Sequence, residues 1–296
     1  MHHAGLGRGR LNDGDHDDEA RRIANAFVAA RREARPLSSY PGALPRSLDE
    51  AYRVQDRALA LGAGAIGGWK VGRIMPPASG TVGSDRLAGP IFADSILLSR
   101  AGEKPVAMSV FEGGFGAAEA EFLLRVGAAP PSGKTEFSLD DAAALIDAVH
   151  LGIEIASSPL ASINDLGPAV TISDFGNNNG LVVGEPIPDW RSLAFAGWRV
   201  SLMVDGVEAG SGQASAMPDG PLGAARFLFE LLGRRGIAVA PGQWISSGAV
   251  TGVHPVAPGA FVEAVFDGTH RVSCTIEAAT AKEDDRGELK DGRSTG

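Results

Sequence analysis

Glu119-Ala120-Glu121-Phe122-Leu123-Leu124-Arg125-Val126 alternates with the two-residue period of a strand. Ala120, Phe122, Leu124 and Val126 form one apolar face, and both glutamates point to the other. The Cα atoms of Glu119 and Glu121 then lie roughly 6.6 Å apart. At that spacing two carboxylates repel by about 3 kcal/mol at an effective dielectric of ~20. On the wet face of an edge strand the pair is merely solvated. Partly buried, it requires a cation, a lysine or a proton.

A third acid favours burial. In Leu151-Gly152-Ile153-Glu154-Ile155, Glu154 is a single charge among branched apolar residues and reads as the polar exception of a buried strand. Three carboxylates, with waters or a chelating substrate, make an oxygen-rich octahedral site suited to Mg2+ or Mn2+. No histidine spacing suits zinc.

Outward from this strand, glycine-punctuated β-like segments run from about Trp69 to about Ala279. Asp205-Gly206 and Asp267-Gly268 each follow a β-prone run and predict hairpins. A helix over residues 18–35 carries Ile23, Phe27 and Ala30 on one stripe, with arginines on its other faces, and Pro36 stops it. Ser47 and Glu50 have capping-box spacing ahead of a second helix that ends near Gly62. Ser138 and Asp141 cap a third, through Leu145, Ile146 and Val149. Pro221 opens a fourth, closed by Gly236.

The 296 residues suit one principal core with additions at its ends. The layout expected is a disordered N-terminus over 1–17, a helical layer over 18–66, a main domain over 67–279 and a disordered tail over 280–296. With 44% hydrophobic residues but no apolar run of membrane-spanning length, a soluble chain with no membrane association is expected. No signal-like segment opens it, so the cytoplasm is expected. A net charge of −9 disfavours nucleic acid as a partner. The single cysteine, Cys274, reads as a small buried hydrophobe. Gly5-x-Gly7-x-Gly9 has no preceding strand and is no dinucleotide fingerprint.

Other residues admit two readings. Lys70, in Gly67-Gly68-Trp69-Lys70-Val71-Gly72, is either a solvated lysine or one reaching into a cleft, where it suits proton transfer. Asp174-Phe175-Gly176-Asn177-Asn178-Asn179-Gly180 is either an ordinary turn or a set of groups for substrate oxygens. Ser246-Ser247-Gly248 offers donors for a carboxylate, but no partnered base marks Ser247 as a nucleophile.

Ser47 to Gln55, Gly68-Trp69-Lys70-Val71-Gly72, Phe92-Ala93-Asp94, Glu119-Ala120-Glu121, Glu154 and the stretch 174–184 resemble, in this order, the 2-keto-4-pentenoate hydratase family of the fumarylacetoacetate hydrolase superfamily. The resemblance covers about Arg21 to Ala279. It implies an α+β fold, a mixed β-sheet or roll with covering helices and an N-terminal helical layer. It also implies a Mg2+ or Mn2+ site held by Glu119, Glu121 and Glu154, with Lys70 as the active-site lysine, and a homo-oligomer. The activity implied is addition of water to a 2-hydroxy-2,4-dienoate, giving a 4-hydroxy-2-oxo acid in aromatic or related catabolism. Close relatives decarboxylate 2-oxo-3-hexenedioate or cleave acylpyruvates.

On this reading Lys70 shuttles a proton, Asn178 positions water, and Asp174 and Ser247 contact the small-molecule acid. The chain departs from the family pattern at Arg86-Leu87-Ala88-Gly89-Pro90, where an acidic residue is usual, at Ala156-Ser157-Ser158, and in the loop 174–179. The alternative of another class is a non-catalytic 2-oxo acid binding protein.

Overall fold

The structure, a computed structural model, describes residues 13–282 apart from 63, 101 and 193. The expectations for residues 1–12 and 283–296 lie outside the described residues. Helix α1 (Asp13–Arg32) buries Ile23, Ala24, Phe27 and Ala30. It starts earlier than the expected residue 18, and its early part is tied down. Asp17 accepts from Arg21 one turn on at 2.9 Å and from Arg57 at 2.7 Å. Helix α2 (Leu48–Ala60) is capped by Ser47, which accepts from the Glu50 N–H at 3.2 Å. Glu50 reaches back to the N–H of Arg46 at 2.8 Å, one residue beyond the position a capping box specifies.

From here the chain is mostly strand. β1 (Ile66–Arg73), the short α3 (Ala78–Val82), β2 (Arg86–Phe92), β3 (Ile96–Leu98) and β4 (Val106–Val110) lead to the long β5 (Phe115–Val126). The short α4 (Leu139–Ala144) separates β5 from β6 (Ile146–Ser158), and α5 (Pro168–Ser173) precedes β7 (Asn178–Pro186). The hairpin β8 (Val200–Val204) and β9 (Val207–Gly212) is followed by α6 (Gly220–Arg235), β10 (Trp244–Ser246), β11 (His254–Pro255), and the hairpin β12 (Phe261–Phe266) and β13 (His270–Ala278). Both expected hairpins are present, with Asp205, Gly206, Asp267 and Gly268 all at positive φ.

One expected helix is corrected. Ser138 and Asp141 do form a capping box, but α4 stops at Ala144. Ile146 and Val149 belong to β6, which pairs along β5 from Val126↔Ile146 to Phe115↔Ser158. The β-branched residues Ile146, Val149, Ile153 and Ile155 suit a sheet position packed against neighbours better than a helix.

Eight strands form one mixed sheet in the order β2-β1-β10-β5-β6-β7-β3, with β11 also on β5. Five form a second, β4-β13-β12-β8-β9. The main core lies between them. It takes Ala118, Ala120, Phe122, Leu124 and Val126 from β5, Val262, Ala264 and Phe266 from β12, and Leu228 and Leu232 from α6. The Phe122 ring meets Phe195 and Phe266 at 4.8 and 5.3 Å. Cys274 is buried in this core, which pushes its thiol pKa up to about 12, so it behaves as a small hydrophobe.

A second apolar cluster joins α1 and α2 to the segment around α5 through Ile23, Phe27, Val54, Val170 and Phe175. The helical layer thus covers part of the large sheet on the face away from the main core. Among the described residues, no helix is long and apolar enough to cross a membrane.

Candidate metal centre

Because β5 sends Ala118, Ala120 and Phe122 into the core, its strand period puts Glu119 and Glu121 on the opposite face. Glu154 of β6 is the register partner of Glu119 and joins them there. β5 lies between β10 and β6, so it is no edge strand. Glu119 is 4% exposed, and Glu121 and Glu154 are 0% exposed, which excludes the solvated reading. Each contributes a carboxylate oxygen to a set whose members all lie within 4.8 Å of one another.

Lys70 comes from β1, two strands from β5. Its Nζ lies 3.1 Å from Glu154 Oε1 and donates to Asn177 Oδ1 at 3.2 Å, and the residue is buried. The solvated-lysine reading fails as well. Burial works against the Lys70 ammonium, yet the charges of Glu154, Glu119 and Glu121 together outweigh it and hold its pKa above the ordinary lysine value.

Two of the carboxylates are each gripped by one oxygen. Glu121 Oε2 accepts from the Ser246 hydroxyl and from the Gly248 N–H at 2.8 Å. Glu154 Oε1 accepts from Asn178 Nδ2 at 3.0 Å besides pairing with Lys70. The other oxygens, Glu121 Oε1 and Glu154 Oε2, are buried without a partner. Such orphaned acceptors are rare in folded proteins and cost free energy unless something donates or binds to them.

Fully ionised, the cluster holds three carboxylates against one ammonium, and this excess of negative charge lies in a site water barely reaches. Without a cation it retains protons. Burial first, then the Glu154 charge, raise Glu119 to about 7 against the relief Lys70 gives. Burial, Glu154 and Glu119 raise Glu121 well above the ordinary carboxylate range. Free oxygens, fixed orientation, excess negative charge and an all-oxygen ligand set fit a hard divalent ion of the Mg2+ or Mn2+ class. Among the described residues, no other group of three His, Cys, Asp or Glu side chains meets this spacing.

The raised carboxylate values fix a sign. A group whose folded pKa lies above its unfolded one stabilises the fold below the unfolded value and loses that contribution as pH rises through the folded value. For Glu119 the loss falls between about 4.5 and about 7. The metal-free protein is therefore expected to lose stability across that window, and the gain in melting temperature on adding Mn2+ should grow across it. Calorimetric scans with EDTA or Mn2+ from pH 5 to pH 8 check this; a gain that shrinks as pH rises contradicts it.

The remaining expected site residues fall in different places. Asn178 reaches the cluster, where one N–H of its amide donates to Glu154. Ser247 is buried, with a partnerless hydroxyl and its N–H on Phe122 O at 3.3 Å. The substrate contact expected of Asp174 is not what the geometry offers. Both of its carboxylate oxygens are engaged by Arg31, at 2.5 and 3.0 Å. Reading the sequence marks Asn177, Ser246 and Gly248 as groups for substrate oxygens or a carboxylate rather than as the supports of Lys70 and Glu121 that they are, and it misses Arg31 altogether. Asn177 and the Ser246–Gly248 segment lie in stretches whose polar composition marks them, whereas nothing singles out Arg31 among the arginines of α1.

No protein-family model and no curated protein matches the sequence. Solved structures do match in fold. The 4-oxalocrotonate decarboxylase of Pseudomonas putida G7, complexed with magnesium and adipate, superposes with a TM-score of 0.73 at 19% identity, over 88% of this chain and 97% of that one. Fumarylpyruvate hydrolase from Pseudomonas aeruginosa, in complex with Mn2+ and pyruvate, gives 0.53 at 15% identity over 71% and 88%. The 2-hydroxyhepta-2,4-diene-1,7-dioate isomerase of Mycobacterium marinum gives 0.52 at 17% over 72% and 75%.

Proposed function

We propose that this chain, whose fold is the fumarylacetoacetate hydrolase-like one, is a divalent-metal-dependent enzyme that adds water to a 2-hydroxy-2,4-dienoate. The product is a 4-hydroxy-2-oxo acid. The observation that carries the reading is the buried cluster of Glu119, Glu121 and Glu154 beside Lys70, with two carboxylate oxygens left without partners. Mg2+ and Mn2+ are the ions proposed, in keeping with those bound to the fold's neighbours.

A cation held by Glu119, Glu121 and Glu154 would supply Lewis acidity toward the 2-oxo and carboxylate oxygens of a substrate. The protein's own groups do the rest. Lys70, held beside Glu154, gives a proton to the substrate carbon skeleton and takes one back from the substrate's 2-hydroxyl, so that its own charge is restored over the turnover. Asn177 accepts from the ammonium and fixes where its remaining protons point. Asn178 orients Glu154, and the Ser246 hydroxyl and the Gly248 N–H orient Glu121. The partnerless Ser247 hydroxyl is the group proposed to contact the substrate.

A second reading, decarboxylation of a 2-oxo diacid, is favoured by the fold match over nearly the whole of the oxalocrotonate decarboxylase. Cleavage of an acylpyruvate calls on the same polarisation of a 2-oxo group. Incubating the protein with Mn2+ and each of a 2-hydroxydienoate, an oxalocrotonate-type diacid and an acylpyruvate, with products identified by mass, separates the three. Hydration adds 18 mass units to the dienoate. Ligand-induced thermal stabilisation without any product would support the binding-protein alternative instead. Light scattering on the same sample reads the expected homo-oligomer.

A further inference from the structure

The loop that carries Asn177 and Asn178 has an unusual backbone. Phe175, Gly176 and Asn177 are consecutive residues with φ of +54°, +65° and +56°. Only glycine adopts this region without steric cost, and two of the three are not glycine. Such a run persists where its surroundings over-determine it. One side is β2. A Cβ added to Gly89 would lie 2.0 Å from the Phe175 carbonyl oxygen, so that carbonyl sits directly on the Gly89 backbone. Gly176 packs against the Lys70 side chain.

The other side is Arg31, in the last turn of α1. Its Nε and Nη2 grip both oxygens of Asp174, the residue before the left-handed run. Its Nη1 donates to Asn178 O at 3.1 Å and to Asn179 Oδ1 at 3.2 Å, just beyond the run, and Nη2 also donates to Ser157 O at 2.9 Å on β6. Phe111 and Phe175 rings lie 5.4 and 5.3 Å from the guanidinium carbon. One largely enclosed side chain, 12% exposed, thus clamps both ends of the strained turn. From that turn Asn177 reaches Lys70, and Asn178 reaches Glu154.

We propose that Arg31 is a positioning residue of the metal centre, acting through Asn178 on Glu154 and through Asn177 on Lys70. This assigns Asp174 the task of anchoring Arg31. It makes the N-terminal helix a working part of the site rather than a cover for the sheet. The proposal rests on Glu119, Glu121 and Glu154 holding a metal.

Removing the clamp lets the loop relax and withdraws the amide that orients Glu154. Outer partners of metal ligands of this kind are worth about 10–100-fold in affinity. Lysine at position 31 keeps the charge but lacks the planar fork that spans Asp174 and Asn178. Arg31 also lines a cavity of ≈ 370 Å3 together with Phe92, Phe111, Phe175 and Asn178. An Arg31→Ala variant therefore opens a guanidinium-sized hole onto an existing space.

The test is titration of the full chain with Mn2+ by calorimetry in the wild type, Arg31→Ala, Arg31→Lys, Asn178→Ala and the Arg31→Ala/Asn178→Ala double variant. Arg31→Ala and Asn178→Ala are each expected to bind Mn2+ about tenfold more weakly. The double variant should bind no more than two- to threefold more weakly than the weaker single, because both act along one route. Millimolar guanidinium, but not equal sodium chloride, should restore most of the affinity of Arg31→Ala. Should Arg31→Ala not fold, Arg31→Lys carries the comparison with the same expected loss. Affinity within twofold of wild type in the Arg31 variants, losses that multiply fully in the double variant, or no rescue by guanidinium overturns the proposal. A wild type that binds no Mn2+ overturns the metal centre itself, and the clamp's role with it.

Discussion

Glu121→Gln is expected to remove metal-dependent turnover while leaving the metal-free protein at least as stable as the wild type. The two effects have opposite signs because the residue is costly in one state and needed in the other. In the metal-free fold, Glu121 is a buried carboxyl whose pKa is raised by burial and by the charges of Glu154 and Glu119, so the ionised form is disfavoured there. An amide of the same shape can keep the Ser246 and Gly248 contacts with its oxygen. It carries no charge for Glu119 and Glu154 to repel.

With a cation, the same amide withdraws one of three anionic ligands. Loss of the Lewis acid is worth several kcal/mol of transition-state stabilisation, and about 4 kcal/mol corresponds to roughly a thousandfold in rate. Turnover with Mn2+ should fall at least that far, while the melting temperature in EDTA holds or rises. Undiminished turnover would reject Glu121 as a ligand. A large drop in melting temperature in EDTA would show that its place is structural.

Lys70→Met carries the second large effect, and it separates chemistry from metal binding. Among the described residues, Lys70 is the buried cation paired with the cluster, and without a metal the charges of the three glutamates favour its charged form. A positioned proton donor typically contributes 10²–10⁴-fold, so turnover should fall by about that factor. Metal affinity should be kept, because the ammonium and the metal ion compete for the same negative field around Glu154. The metal-free variant should lose about 3–5 kcal/mol of stability, since one partner of a buried ion pair has gone, and Mn2+ should recover most of it. Turnover within threefold of wild type removes Lys70 from the chemistry. Loss of Mn2+ binding instead would mean that its role is to arrange the ligands.

How much of this is readable in the chain depends on whether the signal is local. The Glu119–Glu121 alternation shows because strand periodicity separates the two faces within a few residues. Glu154 shows because a lone acid among isoleucines has no solvated explanation. The Asp205-Gly206 and Asp267-Gly268 turns show because their backbone demands those residues. The short helix α4 is misjudged because its capping box is local, whereas the claim of β5 on Ile146 and Val149 is a long-range pairing. Arg31 is hidden for the same reason. Its partners Asp174 and Asn178 lie 143 and 147 residues away, and on α1 it looks like any other solvated arginine. Asp174 looks available in sequence because the residue that occupies it comes from another layer of the fold.

The central claim is that Glu119, Glu121 and Glu154 meet around one hard cation. Crystals grown with Mn2+ and measured at the manganese absorption edge test it most directly. One anomalous peak is predicted among the three carboxylates, close to Glu121 Oε1 and Glu154 Oε2, with oxygen distances near those of a hexacoordinate divalent ion. A map with no peak there, or with the manganese held elsewhere, contradicts it.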